Sequence, residues 1–472
     1  MLGKNGDTAR NAKAFQAGLD AVQRVARTIL ESEHELPPRP RSGLAPELCL
    51  GVEGRPFEDV IGALTRVLAD TPSSASPRFV NQLFGGREPA AVVAEMLTPI
   101  TNTSMYTFKV AGPQVLIENE VIARMAKFAG FLEGEGTLCP GGSLSNLAAM
   151  VMARNRAVAG CRDSGLTGER LTVYTSEAGH YSIRKNAGIL GIGRNNVRDV
   201  PTDAAGRMRV ESLRTMVAED LERGALPVMI NATAGTTVLG AYDDIGLMAE
   251  VAGEHGIWLH VDGALGASVL LCDRHRRLMD GVESADSLTW NAHKMMGVPL
   301  PCSVLLVRRR GTLTEDFSER AGYLFQSPDD ELDPGTRSIQ CGRRNDALKL
   351  WAAWLHLGDA GFDRRIARFF ELAQYAAEAV AADHELELVT APQSVTVCFT
   401  VRDGSSSAIC ERLDREARLK IGFGEAAGRQ AIRLVCIDPD LDEKRIDAIL
   451  AEIKAVAAEL GKSRRAGAVD DG

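Results

Sequence analysis

Only 5% of the 472 residues are aromatic, and no stretch approaches the ~18 uninterrupted apolar residues that a membrane-spanning helix needs. Met1 to Asp20 are polar and charged and lack the apolar run of a secretory leader. None of the nine cysteines forms a Cys-x-x-Cys pair, and an odd number cannot all pair within one chain. That argues against a structural zinc site and for free thiols in a reducing compartment. Long blocks of one charge are also missing: the formal charge of −9 comes from interspersed acids and bases, which argues against nucleic acid or an anionic membrane as partner. The expectation is a soluble cytoplasmic protein that acts on small molecules and carries no metal.

The chain is too long for one ordinary core, and its apolar share of 45% shows no obvious break. A helical pattern spans Ala14 to Ile29 and ends in Glu35-Leu-Pro-Pro-Arg-Pro-Arg, which reads as an arm or linker. From about residue 114 helices alternate with short β-rich runs at 171–176, 226–233, 257–262, 287–291 and 303–309. This rhythm predicts an α/β domain with a mostly parallel sheet, and the last two runs are too close for a helical crossover, so the sheet is expected to be mixed there. After Leu348 a long amphipathic helix pattern runs to about residue 380, followed by strand-like Ser394–Val401 and Ala431–Ile437. The expected organisation is an N-terminal segment 1–95, a large domain 96–350, a small C-terminal α+β domain 351–461 and a polar, disordered tail 462–472.

The most informative segment is Asn291-Ala-His-Lys-Met-Met-Gly, just after a β-run. A lysine desolvated at a strand end becomes a nucleophile toward aldehydes, although a His-Lys pair there is more often a solvated turn. In Trp258-Leu-His-Val-Asp262-Gly-Ala264 an aspartate ends an apolar strand. Such a carboxylate either caps the next helix or awaits a cation, and a protonated pyridine nitrogen is one candidate. Cys139-Pro-Gly-Gly-Ser-Leu-Ser-Asn146 is a Gly-rich turn feeding a helix, either a plain turn or a phosphate cradle built from free N–H groups. A phosphate-bearing pyridine aldehyde asks for all three in this order.

Order and wording of these motifs resemble the group II amino-acid decarboxylases, the glutamate and cysteine-sulfinate decarboxylase-like pyridoxal-phosphate enzymes of fold type I, which are aspartate aminotransferase-like. Further phrases of that family are Pro77-Arg-Phe-Val-Asn-Gln-Leu, Ser176-Glu-Ala-Gly-His-Tyr-Ser, Asn231-Ala-Thr-Ala-Gly-Thr-Thr-Val, Gly322-Tyr-Leu-Phe-Gln and Ile339-Gln-Cys-Gly-Arg. The resemblance implies pyridoxal 5'-phosphate as cofactor, bound by Lys294 through an imine, with Asp262 on the pyridine nitrogen and His180 stacked on the ring. It puts Thr237 and Ala264 beside or beneath the ring, Ser143 and Leu144 amides on the phosphate, and Asn291 and His293 around the cofactor. It also implies a homodimer with shared active sites and decarboxylation of a small acidic L-amino acid, with Arg433 and Gln82 facing the substrate's acid group. Ser104, Tyr106 and the pair Arg343-Arg344 look more like the cysteine-sulfinate branch.

The sequence departs from the family in places. The loop Ser327 to Ser338 is shorter and holds no tyrosine, whereas the related enzymes carry one there that resembles a general acid for the substrate carbon. A diverted outcome, oxidative deamination or carbon–carbon bond formation, is the alternative this raises; a non-catalytic homologue is the third. Gly263, Leu265 and Ala292 replace an alanine, an aromatic and a proline, which either widens the site or is neutral drift.

Overall fold

The computed structural model describes residues 7–33, 35–36, 49–319 and 332–470. A helix Asp7–Ser32 opens the chain, covering the predicted Ala14–Ile29. Seven strands, β1 Glu135–Cys139, β2 Leu171–Ser176, β3 Val197–Val200, β4 Leu226–Thr233, β5 Trp258–Asp262, β6 Ser287–Asn291 and β7 Ser303–Val307, form one sheet in the spatial order β1-β7-β6-β5-β4-β2-β3. Pairings from β3 across to β6 are parallel, because helices Ser182–Ile189, Val210–Glu222 and Ile245–His255 carry the chain back between successive strands. Residues 292–302 hold no helix, so β7 pairs antiparallel with β6, as expected, and antiparallel also with β1. β1 therefore runs in the same direction as β6, and the carboxyl ends of β1, β4, β5 and β6 share one edge. Open α/β sheets bind their ligands at that edge.

Two short strands of this sheet carry little sequence signal. β1 reads Glu-Gly-Thr-Leu-Cys and β3 Val-Arg-Asp-Val, and their pairing partners rather than their own propensity hold them.

Four further strands, β8 Leu386–Leu388, β9 Thr396–Val401, β10 Gly422–Ala426 and β11 Arg429–Val435, form an antiparallel sheet in the order β10-β11-β9-β8. The helix Asp346–Ala382 joins both halves. It breaks at Gly358, whose φ of 62° and ψ of 179° lie outside helical values. Leu350, Phe362, Ile366 and Phe369 pack into the core of the large sheet, whereas Leu372, Ala376 and Val380 pack with β9 and β11. The expected boundary between 350 and 351 thus falls inside one helix, and the change of core comes about five turns later.

The last helix, Glu443–Asp470, runs on through the stretch from Lys462 where composition alone suggests a disordered tail. Lys, Arg and Ala are strong helix formers, and a helix already nucleated continues through them at little cost.

Candidate active site

Four elements end on the shared edge and enclose a cavity of about 190 Å³. Its lining includes Gly142, Ser143, Asn146, His180, Thr237, Asp262, Ala264, Asn291 and Lys294. Seven of the predicted site residues meet there although they are spread over about 150 positions of sequence.

Lys294 lies in the turn after β6, whose backbone bonds from Lys294 N to Asn291 O (3.1 Å) and from Gly297 N to Lys294 O (2.9 Å) fix where its side chain leaves. It has no ion pair or hydrogen-bonded side-chain partner among the described residues. Burial holds its amine below the ordinary lysine range; the Asp262 carboxylate opposes this and Arg433 reinforces it. Desolvation of this kind favours the neutral, nucleophilic amine.

Asp262 ends β5 and is 4% exposed. Its Oδ2 accepts from Asn146 Nδ2 at 2.8 Å and its Oδ1 from Ala264 N at 3.2 Å. No cation forms a salt bridge with it among the described residues. His180 follows β2; its Nδ1 is 2.8 Å from Ser182 Oγ, and burial lowers the imidazole below its ordinary value, with Asp262 opposing and Lys294 and Lys185 reinforcing.

The helix Gly142–Ala157 begins against this group. A Cβ on Gly142 would lie 2.9 Å from Asn291 Nδ2 and 3.4 Å from Ala264 Cβ, so a side chain there would crowd the cradle. The N–H groups of Gly142 and Ser143 have no protein acceptor among the described residues, whereas the Leu144 N–H already bonds Gly141 O at 3.0 Å. Leu144 is 39% exposed and is not part of the lining. The two free amides are those of Gly142 and Ser143, one residue earlier than expected, because the first helical turn closes on Gly141. Asn291 supports the helix start from below: its Oδ1 accepts from Ser303 Oγ at 2.6 Å, and Ser303 Oγ is 2.8 Å from Ser145 Oγ.

Besides Leu144, five predicted residues stand apart from the cavity. His293 points into the turn, where its Nδ1 meets the backbone of Cys302, and burial pushes it down to about 4. It holds the turn that presents Lys294. Gln82 is exposed, Ser104 is half-buried, and Tyr106 packs on Gly335, whose N–H donates to Tyr106 O at 2.9 Å. None of these three lines the cavity within one chain. Arg433 reaches its rim through Thr237, as its Nη1 donates to Thr237 O at 2.5 Å.

Arg343 is committed elsewhere. Its guanidinium makes a two-point pair with Glu118 at 2.7 and 2.5 Å, with side-chain exposures of 4% and 3%, so it is not available to a ligand acid group. Gly263 faces the core: a Cβ there would lie 2.8 Å from Ala267 Cβ and 2.9 Å from Leu288 Cδ1, so the change from the family's alanine relieves packing and does not widen the cavity. Leu265 does line the cavity, and Ala292 is fully buried. Gly322-Tyr-Leu-Phe-Gln and positions 327–331 of the tyrosine-free loop lie outside the described residues.

Sequence reasoning missed Asn146, Ser182, Thr233 and Gly235. Asn146 stands four residues after Gly142, one helical turn along the same face, and that spacing was its available signal.

These residues fit pyridoxal phosphate. A buried carboxylate without a counter-ion matches a protonated pyridine nitrogen, a desolvated lysine matches an aldehyde, and free amides at a helix start match a phosphate. Fold and site together define a pyridoxal-phosphate enzyme of fold type I. The pyridoxal-dependent decarboxylase conserved domain matches residues 47–402, and the chain belongs to that family. It is 37% identical to mouse cysteine sulfinic acid decarboxylase over 438 residues, 88% of this chain and 89% of that protein. With the bovine acidic amino acid decarboxylase GADL1 it shares 36% identity, covering 86% of this chain and 82% of the other. The crystal structure of mouse CSAD superimposes with a TM-score of 0.87 at 34% identity, covering 93% of this chain and 99% of that one.

Proposed function

We propose that this chain decarboxylates a small acidic L-amino acid, cysteine sulfinate, aspartate or a glutamate-like substrate, with pyridoxal phosphate held at Lys294. The observation that carries the reading is the shared cavity of Lys294 and Asp262, a desolvated amine and an unpaired buried carboxylate. The acidic substrate class is supported by the relatives named cysteine sulfinic acid decarboxylase and acidic amino acid decarboxylase.

When bound, pyridoxal phosphate supplies an aldehyde for an amine and a pyridine ring that takes up the electron pair released at the substrate carbon. In this reading Gly142 and Ser143 hold the phosphate by their amides, with the helix dipole behind them. Asp262 keeps a proton on the pyridine nitrogen, and Asn146 and Ala264 hold its carboxylate in place. His180, neutral, fixes the plane of the ring between itself and the floor formed by Ala264. Thr237 closes the side wall, and Arg433 behind it contributes the positive potential that draws an acidic side chain. Leu265, apolar and buried, keeps water from that part of the wall.

We read the protein as a homodimer in which Gln82, Ser104 and Tyr106 serve the partner's site. Support comes from helix Pro89–Thr101, which carries Val93, Met96, Leu97 and Ile100 at 48–56% exposure, an apolar stripe unusual for a free surface. A cytoplasmic location is supported by the cysteines, seven of which are buried as small apolar groups outside any disulfide.

A second reading keeps the cofactor and changes the product, and the tyrosine-free loop favours it. One experiment separates the cases: incubate the purified protein and pyridoxal phosphate with cysteine sulfinate, aspartate and glutamate, and follow CO₂, amine and aldehyde. The expected result is CO₂ with the matching amine, and loss of both CO₂ release and the visible cofactor band in Lys294→Ala. A band unchanged in that variant sinks the assignment of Lys294; aldehyde in place of amine establishes the second reading.

A further inference from the structure

We infer that Asn146 is a positioning residue that sets both the Asp262 carboxylate and the tautomer of His180, through one directional chain of hydrogen bonds running from Trp258 to the cavity. The inference rests on the cofactor reading only for its consequence in catalysis.

The direction follows from which groups can only accept and which can only donate. Asp262, as a carboxylate, only accepts, so the Asn146 atom 2.8 Å from its Oδ2 is the amide nitrogen. Turning that carboxamide over would set two acceptors against each other. With nitrogen on that side, Asn146 Oδ1 faces His260 Nε2 at 3.1 Å and Thr289 Oγ1 at 2.8 Å, and both must donate to it. His260 therefore carries its proton on Nε2 and accepts at Nδ1 from Ser287 Oγ, 2.8 Å away. Ser287 Oγ in turn accepts from the Trp258 indole N–H at 2.8 Å, and an indole can only donate. Burial agrees with this, since it pushes His260 down to about 4 and leaves it neutral.

On the other side, the second N–H of Asn146 donates to Ser182 Oγ at 3.1 Å. The Ser182 backbone N–H, which can only donate, is directed at His180 Nδ1 at 3.3 Å, so that nitrogen is an acceptor. The Ser182 hydroxyl, 2.8 Å from the same nitrogen, therefore gives it its one proton. His180 Nδ1 is thus an acceptor, and the ring proton sits on Nε2, which has no hydrogen-bond partner among the described residues. Both N–H bonds and both lone-pair positions of Asn146 are in use, so no single partner can reorient without disturbing the rest. The consequence is a neutral imidazole whose outer nitrogen offers a proton and accepts none.

Histidine labelled with nitrogen-15 in the full chain, without added cofactor, reads the tautomer directly, and His180→Gln identifies the resonances. In the wild type His180 is expected to show an unprotonated Nδ1 and a protonated Nε2. Asn146→Asp keeps the size but replaces a donor with an acceptor, so the Ser182 hydroxyl turns to the new carboxylate and His180 Nδ1 moves toward its protonated position. Ser182→Ala leaves the contact between Asn146 and Asp262 in place and should move His180 part of the way, with His260 unchanged. A protonated Nδ1 in the wild type, or His180 resonances identical to wild type in both variants, overturns the inference. A Lys294→Ala protein that keeps the visible cofactor band would overturn the cofactor reading and leave this tautomer result standing.

Discussion

Arg433 on β11 donates from Nη1 to the carbonyl of Thr237 at 2.5 Å, tying the four-stranded sheet to the wall of the lysine-bearing cavity. Its Nη2 donates to Asn81 O at 2.8 Å, and its buried Nε has no hydrogen-bond partner among the described residues. No carboxylate pairs with it among the described residues, and burial lowers it from the ordinary arginine value, with Cys398 opposing. A half-buried guanidinium with backbone carbonyls and no anion among the described residues is a cation awaiting one.

Replacing Arg433 by methionine should therefore weaken acidic substrates by about 2–3 kcal/mol in kcat/KM, the scale of a charge-assisted hydrogen bond left unmade, while pyridoxal phosphate stays bound. Arg433→Lys keeps the charge but cannot hold both carbonyls, and should fall between the two. Steady-state kinetics on each acidic amino acid checks this. Wild-type kinetics in the methionine variant would move acid recognition to another residue, and Arg343, tied to Glu118, is not that residue.

Asp262→Asn should keep the cofactor but lower turnover on the order of 10²-fold or more, because an amide does not hold a proton on the pyridine nitrogen. The measurement is kcat at saturating pyridoxal phosphate, with the cofactor content determined alongside. Near-wild-type turnover would mean that this protonation is supplied elsewhere.

Two buried histidines make stability fall with acid. Burial pushes His260 and His293 down to about 4, below their unfolded value of 6.5, so between these limits the unfolded chain binds more protons. Their stabilisation is present above the unfolded value and is lost as the pH falls toward the folded one, about 2 kcal/mol each between pH ~7.5 and ~5. Asp243 works the other way: burial raises it to about 6, so its contribution is present at low pH, is lost as pH rises through that value, and returns about 1 kcal/mol over the same range. Urea midpoints at the two pH values should show the net fall, and His293→Gln, which can still meet the Cys302 backbone, should shrink it by roughly one histidine's share. An equal fall in the variant would clear His293 of the effect.

The tyrosine-free loop bears on where the substrate carbon finds its proton. Turnover in D₂O should incorporate one deuterium stereospecifically at that carbon, which means that ordinary decarboxylation persists with a substitute acid. His180, with its proton on the outer nitrogen, is the candidate among the described cavity residues. Aldehyde with consumption of O₂ would indicate oxidative deamination instead.

Much of the large sheet was readable in advance because its strands are buried on both faces and appear as short apolar runs, as β4, β5 and β7 do. β1 and β10 escaped for the opposite reason: each contains glycine, and neither pattern repeats long enough to distinguish a strand from a loop. Among site residues, Lys294, Asp262 and the Gly142 turn were legible because each stands at the end of an element, where the chain changes direction and polar groups must find partners. Asn146 sits inside a helix, where only its four-residue spacing from Gly142 marks it, and Ser182, at the start of another, reads as an ordinary first-turn serine.

By itself, then, the sequence determined the chemistry: the lysine after a strand, the aspartate ending another and the glycines before a helix are residue types whose reactivity and backbone freedom are intrinsic. Tertiary structure decided what those residues meet. Parallel pairing of β4, β5 and β6 brings Thr233, Asp262 and Asn291 to one edge, and there burial lowers the Lys294 amine and leaves Asp262 without a counter-ion among the described residues. The same packing turned His293 into a buried prop and Arg343 into half of an ion pair, since desolvation and partner choice depend on neighbours far away in the chain.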